Sequence, residues 1–68
     1  DIGDIASDHP AGTVFMIHGE HHRQSVSPKD YQAFIGADGA VMDGDNSVSY
    51  AFNAGAKGVS IINLEIRD

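Results

Sequence analysis

The histidine-rich segment at positions 18–22 is the part of the sequence with the clearest capacity for chemistry. In an extended strand, alternate side chains point the same way, so His18, Glu20 and His22 would share one face. Two imidazoles and a carboxylate can bind Zn²⁺ and leave one coordination position open, as in catalytic zinc sites. The alternative is that Gly19 makes a turn and breaks the alternation, which leaves the histidines solvated or packed at an edge. No metal is assigned from the sequence, and these three residues are the candidate ligands for one.

A second group of potential ligands runs from Asp43 to Ser47, with the sequence Asp-Gly-Asp-Asn-Ser. A Ca²⁺ loop of the EF-hand type needs glycine at its sixth position and glutamate at its twelfth. Counted from Asp43, those positions hold Val48 and Ala54, which excludes an EF-hand. An irregular Ca²⁺ site is the remaining alternative. The combination of Asp, Gly and Asn is typical of a turn, and a turn is our prediction.

Arrangements typical of nucleophilic or phosphate-binding enzymes are missing from the sequence. None of the six serines lies in a Gly-x-Ser-x-Gly motif, and the chain has no cysteine. The segment Gly36–Gly39 lacks the further glycine and the following helix of a phosphate-binding loop. Paired carboxylates could hydrolyse a glycosidic bond, but their separation decides that mechanism. The alternative is that the aspartates lie in exposed turns, so no catalytic residue and no cofactor is assigned. The available carboxylates are Asp38, Asp43, Asp45 and Glu65.

The charge balance of the chain argues against nucleic acid and anionic membranes as partners. The 68 residues carry ten acidic and four basic side chains, a formal net charge of −6. Nucleic-acid binding depends on clustered basic residues that displace counterions from phosphate. The four basic residues are instead scattered along the chain: Arg23, Lys29, Lys57 and Arg67.

The small size of the chain limits how stable it can be by itself. Chains of this length bury a modest hydrophobic core and usually gain stability from disulfides, metals or partners. Without cysteine, the added stability is expected from a metal, from self-association, or from further chain. The sequence shows neither a transmembrane run nor a signal peptide. It begins abruptly at Asp1 and ends after a strand-like segment, which predicts a processed or fragmentary chain.

Short strands separated by glycine-rich turns are predicted for most of the chain. Ahead of them, Ile2 and Ile5 are compatible with a helix, and Pro10 would stop it. The segment at the C-terminal end is the longest predicted strand, and its residues Ile62, Leu64 and Ile66 would form an apolar face. Strands are predicted from runs that contain β-branched or aromatic residues, except that His21–Val26 is more polar. The predicted strands are Thr13–Ile17, His21–Val26, Gln32–Ile35, Ala40–Met42, Val48–Phe52 and Val59–Ile66.

A weak internal repeat favours stacked coils. Phe15, Phe34 and Phe52 are 19 and 18 residues apart, each in a short apolar run. A period near 20 residues is typical of solenoids, in which equivalent side chains of successive turns pile up inside. We therefore predict an all-β chain of two to three coils with the three rings in one interior column. A small antiparallel β-sandwich or barrel fits the same number of strands and is the alternative.

Several motifs follow one another in a consistent order between Pro10 and Ile66: Pro10–Phe15, Gly19–His21, Gln24–Asp30, Phe34–Gly36, Gly39–Gly44 and Val59–Ile66. In these motifs the chain resembles the N-terminal part of right-handed parallel β-helix proteins of the pectate-lyase-like superfamily. The resemblance implies that residues 1–11 form a short N-terminal cap, helical in part, and that residues 12–68 form the first coils. Tyr31 departs from the family pattern, which prefers glycine there.

The resemblance implies a structural role for these residues. They would form the N-terminal cap and first coils of an extracellular or cell-surface β-helix that acts on or binds polysaccharide. In that family the substrate groove lies along later coils, so the parent protein would be a polysaccharide lyase or hydrolase while this chain alone is not catalytic. The superfamily also contains adhesins and tailspikes, so fold alone does not fix activity.

Two other functions remain open at this point. One is a non-enzymatic surface adhesin or fibre module, in which exposed strand edges join copies of the chain or are continued by further chain. The other is a small metal-binding protein that uses His18, Glu20 and His22.

Overall fold

The computed structural model describes all 68 residues, and the chain is predominantly β with one short helix. The helix expected ahead of Pro10 is present, and the carboxylate of Asp1 caps it by accepting a hydrogen bond from the Asp4 amide at 2.9 Å. That helix is too short to span a bilayer, and there is no other. The elements are α1 (Ile2–Ser7), β1 (Val14–Ile17), β2 (Glu20–His22), β3 (Ala33–Gly36), β4 (Val41–Asp43), β5 (Ser60–Ile62) and β6 (Glu65–Arg67).

The six strands form two three-stranded sheets in which all neighbours are parallel. Sheet A has the strand order β1-β3-β5, and sheet B has the order β2-β4-β6. Val26 and Phe52 add one parallel bridge outside both sheets. The alternative prediction of an antiparallel sandwich or barrel is therefore wrong. Strands that follow one another in the chain lie in different sheets. Two strands that pair within a sheet are therefore connected by a long crossover, as parallel neighbours require, and not by a hairpin.

The hydrophobic core lies between α1 and the two sheets. Phe34 and Met42 are its largest apolar side chains, and they are 0% and 2% exposed. Half-buried residues from the rest of the chain, including Phe15 and Phe52, pack against it. The buried members of the core come from the helix, from both sheets and from the segments between them: Ile2, Ala6, Ile17, Val26, Phe34, Ala40 and Met42.

The three phenylalanines predicted to share a column do meet, but only two of them are equivalent. Phe15 and Phe34 are paired in sheet A, and their rings stack with centroids 5.1 Å apart. The residue that follows in that column is Ile61, which pairs with Phe34 from β5. Phe52 reaches Phe34 from the bridge with Val26, with a centroid distance of 4.9 Å. The predicted single column is thus correct for two rings and wrong for the third, because successive turns of the chain differ in length.

Three predicted strands match β1, β3 and β4 to within one residue, and the other three need correction. The predicted strand Val59–Ile66 is two strands, β5 and β6, separated at Asn63, whose φ of 54° is in the left-handed region that Asn tolerates. Arg23, with φ 56°, similarly ends β2 and shortens the predicted strand His21–Val26. In Val48–Phe52 only Phe52 has a strand partner.

The break at Asn63 also removes the apolar face expected for the last strand. Ile62 lies beside Ile35 in sheet A, whereas Ile66 lies beside Met42 in sheet B. The Asn63 side chain donates a hydrogen bond to the Gly36 carbonyl at 2.9 Å. Asn63 therefore connects the break between β5 and β6 to the end of β3. A Cβ at Gly36 would overlap the Asn63 carbonyl oxygen, and glycine therefore permits this close packing.

Tyr31 has a backbone conformation that glycine adopts more readily than tyrosine. Its φ is 62°, in the left-handed region that disfavours bulky side chains. Its amide donates to the Lys57 carbonyl at 2.9 Å, which joins the turn to the following loop. The ring lies where a Cβ at Gly58 would be, so the absence of a side chain there makes room for it.

Candidate functional site

The outer face of sheet B carries most of the polar groups that can do chemistry. Met42 faces the core from β4, so its neighbours in that strand face outward. The pairing of β2, β4 and β6 places His22, Asp43 and Arg67 side by side in one row across that face. Glu20 and Glu65 occupy the two ends of the adjacent row. Residues that are more than 20 positions apart in sequence thereby become neighbours.

The imidazole of His22 contacts a carboxylate through each of its two ring nitrogens. Nδ1 lies 3.1 Å from Oδ1 of Asp45, and Nε2 lies 3.2 Å from Oε1 of Glu20. A neutral imidazole has a single N–H, so both contacts become hydrogen bonds from the ring only when it is protonated. The hydrogen bond with Asp45, followed by that with Glu20 and the charge of Asp45, raises the pKa of His22 above its ordinary value of 6.5.

Asp45 is held in place by the turn that connects β4 to the following loop. The Ser47 amide donates to the Gly44 carbonyl at 2.8 Å, and φ is 50° at Asp45 and 57° at Asn46. Positive φ at both central residues defines a type I′ turn, so the predicted turn is confirmed. The hydrogen bond from His22 is the main reason that the pKa of Asp45 lies below its ordinary value.

Asp43 completes the group of ligand-type side chains around His22. One donor atom each from His22, Asp43 and Asp45 lie within 4.8 Å of one another. Oδ1 of Asp43 accepts a hydrogen bond from the Asp45 amide at 2.9 Å, which ties the two aspartates together. We call these three residues the His-Asp-Asp cluster.

The structure brings together only part of the ligand set that the sequence suggested. Glu20 and His22 are in contact, but Gly19 has φ 75° and turns the chain, so His18 does not follow the alternation of β2. The backbone carbonyl of His18 instead accepts a hydrogen bond from Nε2 of His21 at 2.8 Å. The ring of His18 is therefore not part of the cluster.

Two arginines contact the aspartates of the cluster from outside. Nε of Arg23 lies 3.3 Å from Oδ2 of Asp45, and Nε of Arg67 lies 3.9 Å from Oδ2 of Asp43. Arg67 also lies 3.1 Å from Oε2 of Glu65. The two arginine side chains are exposed, whereas those of Asp45 and Asp43 are 31% and 15% exposed. Ion pairs with such exposed partners are screened by solvent and orient carboxylates more than they stabilise the fold.

The other two carboxylates considered for glycoside hydrolysis, Asp38 and Glu65, are not members of the His-Asp-Asp cluster. Asp38, the fourth carboxylate considered for glycoside hydrolysis, contacts Asn63 Nδ2 at 3.3 Å through its Oδ1. Two depressions open on the surface, and the larger, about 400 Å³, is lined by Gly39, Ala40, Asn63, Leu64 and Glu65. The smaller, about 240 Å³, lies beside β6, where Met42 and Ile66 contribute to its lining. Of the four candidate carboxylates, only Glu65 lines either depression.

No protein-family model matches this chain, and no curated protein or solved structure is significantly similar to it. Its function is therefore argued from its own geometry and from the motifs in its sequence.

Raising the pH is expected to remove the stabilising contribution of His22. Because the pKa of His22 in the folded chain lies above 6.5, this contribution is complete below that value and is lost as the pH rises through the folded-state pKa. The thermal unfolding midpoints of the wild type and of His22→Gln, measured against pH, should converge above that transition.

Direct titration of His22 by NMR provides the control for this interpretation. Asp45→Asn keeps the shape of the side chain but removes its charge, so the midpoint of the His22 ring resonances should fall. Asp38→Asn removes a charge at a position that does not contact the ring, and it should leave the titration midpoint of His22 unchanged. Equal effects of the two variants would contradict a specific contact with Asp45.

Proposed function

We propose that this chain forms the N-terminal cap and first coils of an extracellular right-handed parallel β-helix that acts on or binds polysaccharide. The observation that carries the proposal is the difference between the two ends of the core. One end is covered by α1, and the other leaves inward-facing apolar side chains exposed on the last strands. A module that starts a stack needs this asymmetry, since it closes one end and offers the other to the next coil.

The covered end is closed by apolar and by polar contacts. Ile2 and Ala6 of α1 are 7% and 1% exposed and belong to the core. The His9 ring, just after the helix, packs edge-on against Phe15 at a centroid distance of 5.6 Å. The position of Gly3 permits close packing, because a Cβ there would lie 2.6 Å from the Ser25 carbonyl oxygen. The helix therefore lies directly on the first turn of the chain.

The open end has the side-chain pattern of the core without its burial. Ile61 is paired with Phe34, and Ile66 is paired with Met42, so both continue columns that are buried one strand below. They are nevertheless 41% and 48% exposed. A further strand on each sheet would bury them as β5 and β6 bury Phe34 and Met42. It would also pair the free backbone groups of those edge strands.

The polysaccharide and extracellular parts of the proposal depend on the resemblance to pectate-lyase-like proteins. Parallel pairing throughout both sheets is what that resemblance predicts. Tyr31 adds support, since its left-handed conformation accounts for the glycine that the family prefers. The fibre alternative needs both ends to be free for head-to-tail addition, and α1 covers one of them.

The test compares lysine substitutions at the open end with lysine substitutions elsewhere. The wild-type chain alone should bind an apolar dye such as anilinonaphthalene sulfonate or self-associate, and Ile61→Lys with Ile66→Lys should abolish this. The matched control is Val14→Lys with Met16→Lys, which changes two apolar residues that are each 59% exposed on β1. That control should leave dye binding and association unchanged.

Hydrogen exchange supplies the outcome that would overturn the cap assignment. Amides of β5 and β6 in the isolated chain should exchange about tenfold or more faster than those of β3 and β4, because edge elements open locally. Uniform protection in a monomer without dye binding would mean that the open end needs no further coil. Affinity electrophoresis of the protein in neutral and acidic polysaccharide gels tests the carbohydrate part separately. Mobility unchanged in every gel would remove that part alone.

A further inference from the structure

The His-Asp-Asp cluster brings together ligand atoms from three separate segments of the chain. His22 is in β2, Asp43 is at the end of β4, and Asp45 is in the turn that follows. Their donor atoms converge within 4.8 Å on the outer face of sheet B, away from the buried core. We propose that this cluster binds one divalent transition-metal ion of the Zn²⁺ class. The site is independent of the cap function proposed above.

The donor set selects the class of ion. One imidazole nitrogen with carboxylate oxygens is a typical set for Zn²⁺ and for neighbouring transition metals. Mg²⁺ and Ca²⁺ prefer sites made of oxygen alone, with more ligands than three side chains supply. Three protein ligands would leave one position of a tetrahedral ion for water or another molecule.

The orientation of the imidazole fits coordination through one particular nitrogen. Nδ1 faces Oδ1 of Asp45 at 3.1 Å, while Nε2 lies 3.2 Å from Oε1 of Glu20. Histidines that bind metals commonly donate the other ring N–H to a carboxylate, which fixes the tautomer and the ring orientation. Glu20 is placed to accept that hydrogen bond, and the metal would then occupy the Nδ1 side.

The two aspartates are positioned before any ion binds. Asp43 is fixed by its strand pairing with His22, and Asp45 by the type I′ turn and by its amide hydrogen bond to Asp43. Arg23 and Arg67 each approach the Oδ2 atom of one aspartate. The two arginines partly neutralise the negative charge that attracts a cation. The affinity of the site for the ion is therefore expected to be moderate and to increase when one arginine is removed.

Isothermal titration of the full chain with ZnCl₂ at about pH 8, where metal binding competes less with protonation of its ligands than at lower pH, tests the proposal. We expect one equivalent to bind with Kd of roughly 10 µM or tighter. His22→Gln, Asp43→Asn and Asp45→Asn should each weaken binding at least about tenfold, and Glu20→Gln about tenfold, as loss of an orienting carboxylate does. The ¹⁵N resonance of His22 Nδ1 should shift on binding, whereas the Nε2 atom should keep its proton.

Matched variants separate this site from adventitious binding to surface histidines. His18→Gln and Asp38→Asn remove the same kinds of group outside the cluster and should leave Kd unchanged. Arg23→Gln should tighten binding about two- to fivefold, while Lys57→Gln, with the same change in net charge, should not. Circular dichroism of each metal-free variant verifies that it is folded. Absence of a stoichiometric site, or equal weakening by His18→Gln, would overturn the proposal.

Discussion

Replacement of Phe34 by alanine is expected to destabilise the fold by about 3–5 kcal/mol, the range for removal of a fully buried aromatic ring. The ring is 0% exposed and lies between Phe15 and Phe52, with centroid distances of 5.1 Å and 4.9 Å. A domain of this length has a total stability of roughly 3–10 kcal/mol. The loss is therefore a large fraction of the total stability, and the midpoint of urea unfolding, followed by circular dichroism, should fall sharply.

Two further substitutions distinguish loss of packing from a general effect of mutation. Phe34→Leu keeps most of the buried volume and should cost less than half as much as alanine. Tyr50→Ala removes an aromatic ring that is 46% exposed and should change stability by well under 1 kcal/mol. If Phe34→Ala costs no more than Tyr50→Ala, the three-ring cluster does not organise the core.

Much of the β architecture was predictable from local sequence because the strands are short and well marked. β-branched and aromatic runs located β1, β3 and β4 to within one residue, and Pro10 correctly limited the helix. The spacing of Phe15 and Phe34 correctly indicated two equivalent positions. The same inference failed for Phe52, because a ring that lies outside sheet A can contact the same core side chain as a ring within it.

Two of the three errors in the strand prediction, at the ends of β2 and β5, have a common physical origin. Asn63 and Arg23 adopt left-handed conformations in segments whose composition favours strand. Neither residue type is confined to that region, so the conformation is imposed by tertiary contacts. At Asn63 one such contact is the hydrogen bond to Gly36, which comes from a part of the chain 27 positions away. A reading of local sequence has no access to that pairing.

The candidate site was half visible in the sequence for the same reason. His22 and Glu20 stood out because they are close together in a histidine-rich segment. Asp45 was correctly assigned to a turn, whereas Asp43, assigned to the same turn, ends β4. The approach of both to His22 depends on the parallel register of β2 with β4. The combination of a strand-end histidine with an Asp-Gly-Asp segment at the end of a later strand was the signal available. This combination indicates a shared site only if the two strands are assumed to pair in parallel.

The least predictable feature of the molecule was the role of Gln32, a residue with no distinguishing sequence context. Its side chain is 0% exposed and makes four hydrogen-bond contacts. Oε1 accepts from the Lys29 amide at 2.9 Å, and Nε2 lies 3.1 Å from the Ala6 carbonyl oxygen. Nε2 also lies 3.3 Å and 3.2 Å from the carbonyl oxygens of His9 and Pro10. Gln32 thus closes the C-terminal end of α1 and connects it to β3.

Replacement of Gln32 by leucine is accordingly expected to cost about 2–4 kcal/mol. It leaves the Lys29 amide without an acceptor, at about 1–3 kcal/mol, and removes one hydrogen bond from carbonyl oxygens that keep another donor, at about 1 kcal/mol. Gln32→Glu keeps the shape and the acceptor, but it points a carboxylate at three carbonyl oxygens and should be at least as harmful. The control is Gln24→Leu, which removes one half-buried hydrogen bond, at 2.9 Å, to the Ile2 amide. It should cost about 1 kcal/mol.

The measurement for Gln32 must separate loss of the cap from loss of the whole fold. Hydrogen exchange of Gln32→Leu should show that amides of α1 lose protection before those of β3 and β4, because the broken contacts join the C-terminal end of the helix to the start of β3. Dye binding should then increase, since the end of the core formed by Ile2 and Ala6 becomes exposed. If α1 keeps its protection while stability falls, Gln32 acts within the sheet, and the helix is held by its apolar contacts alone.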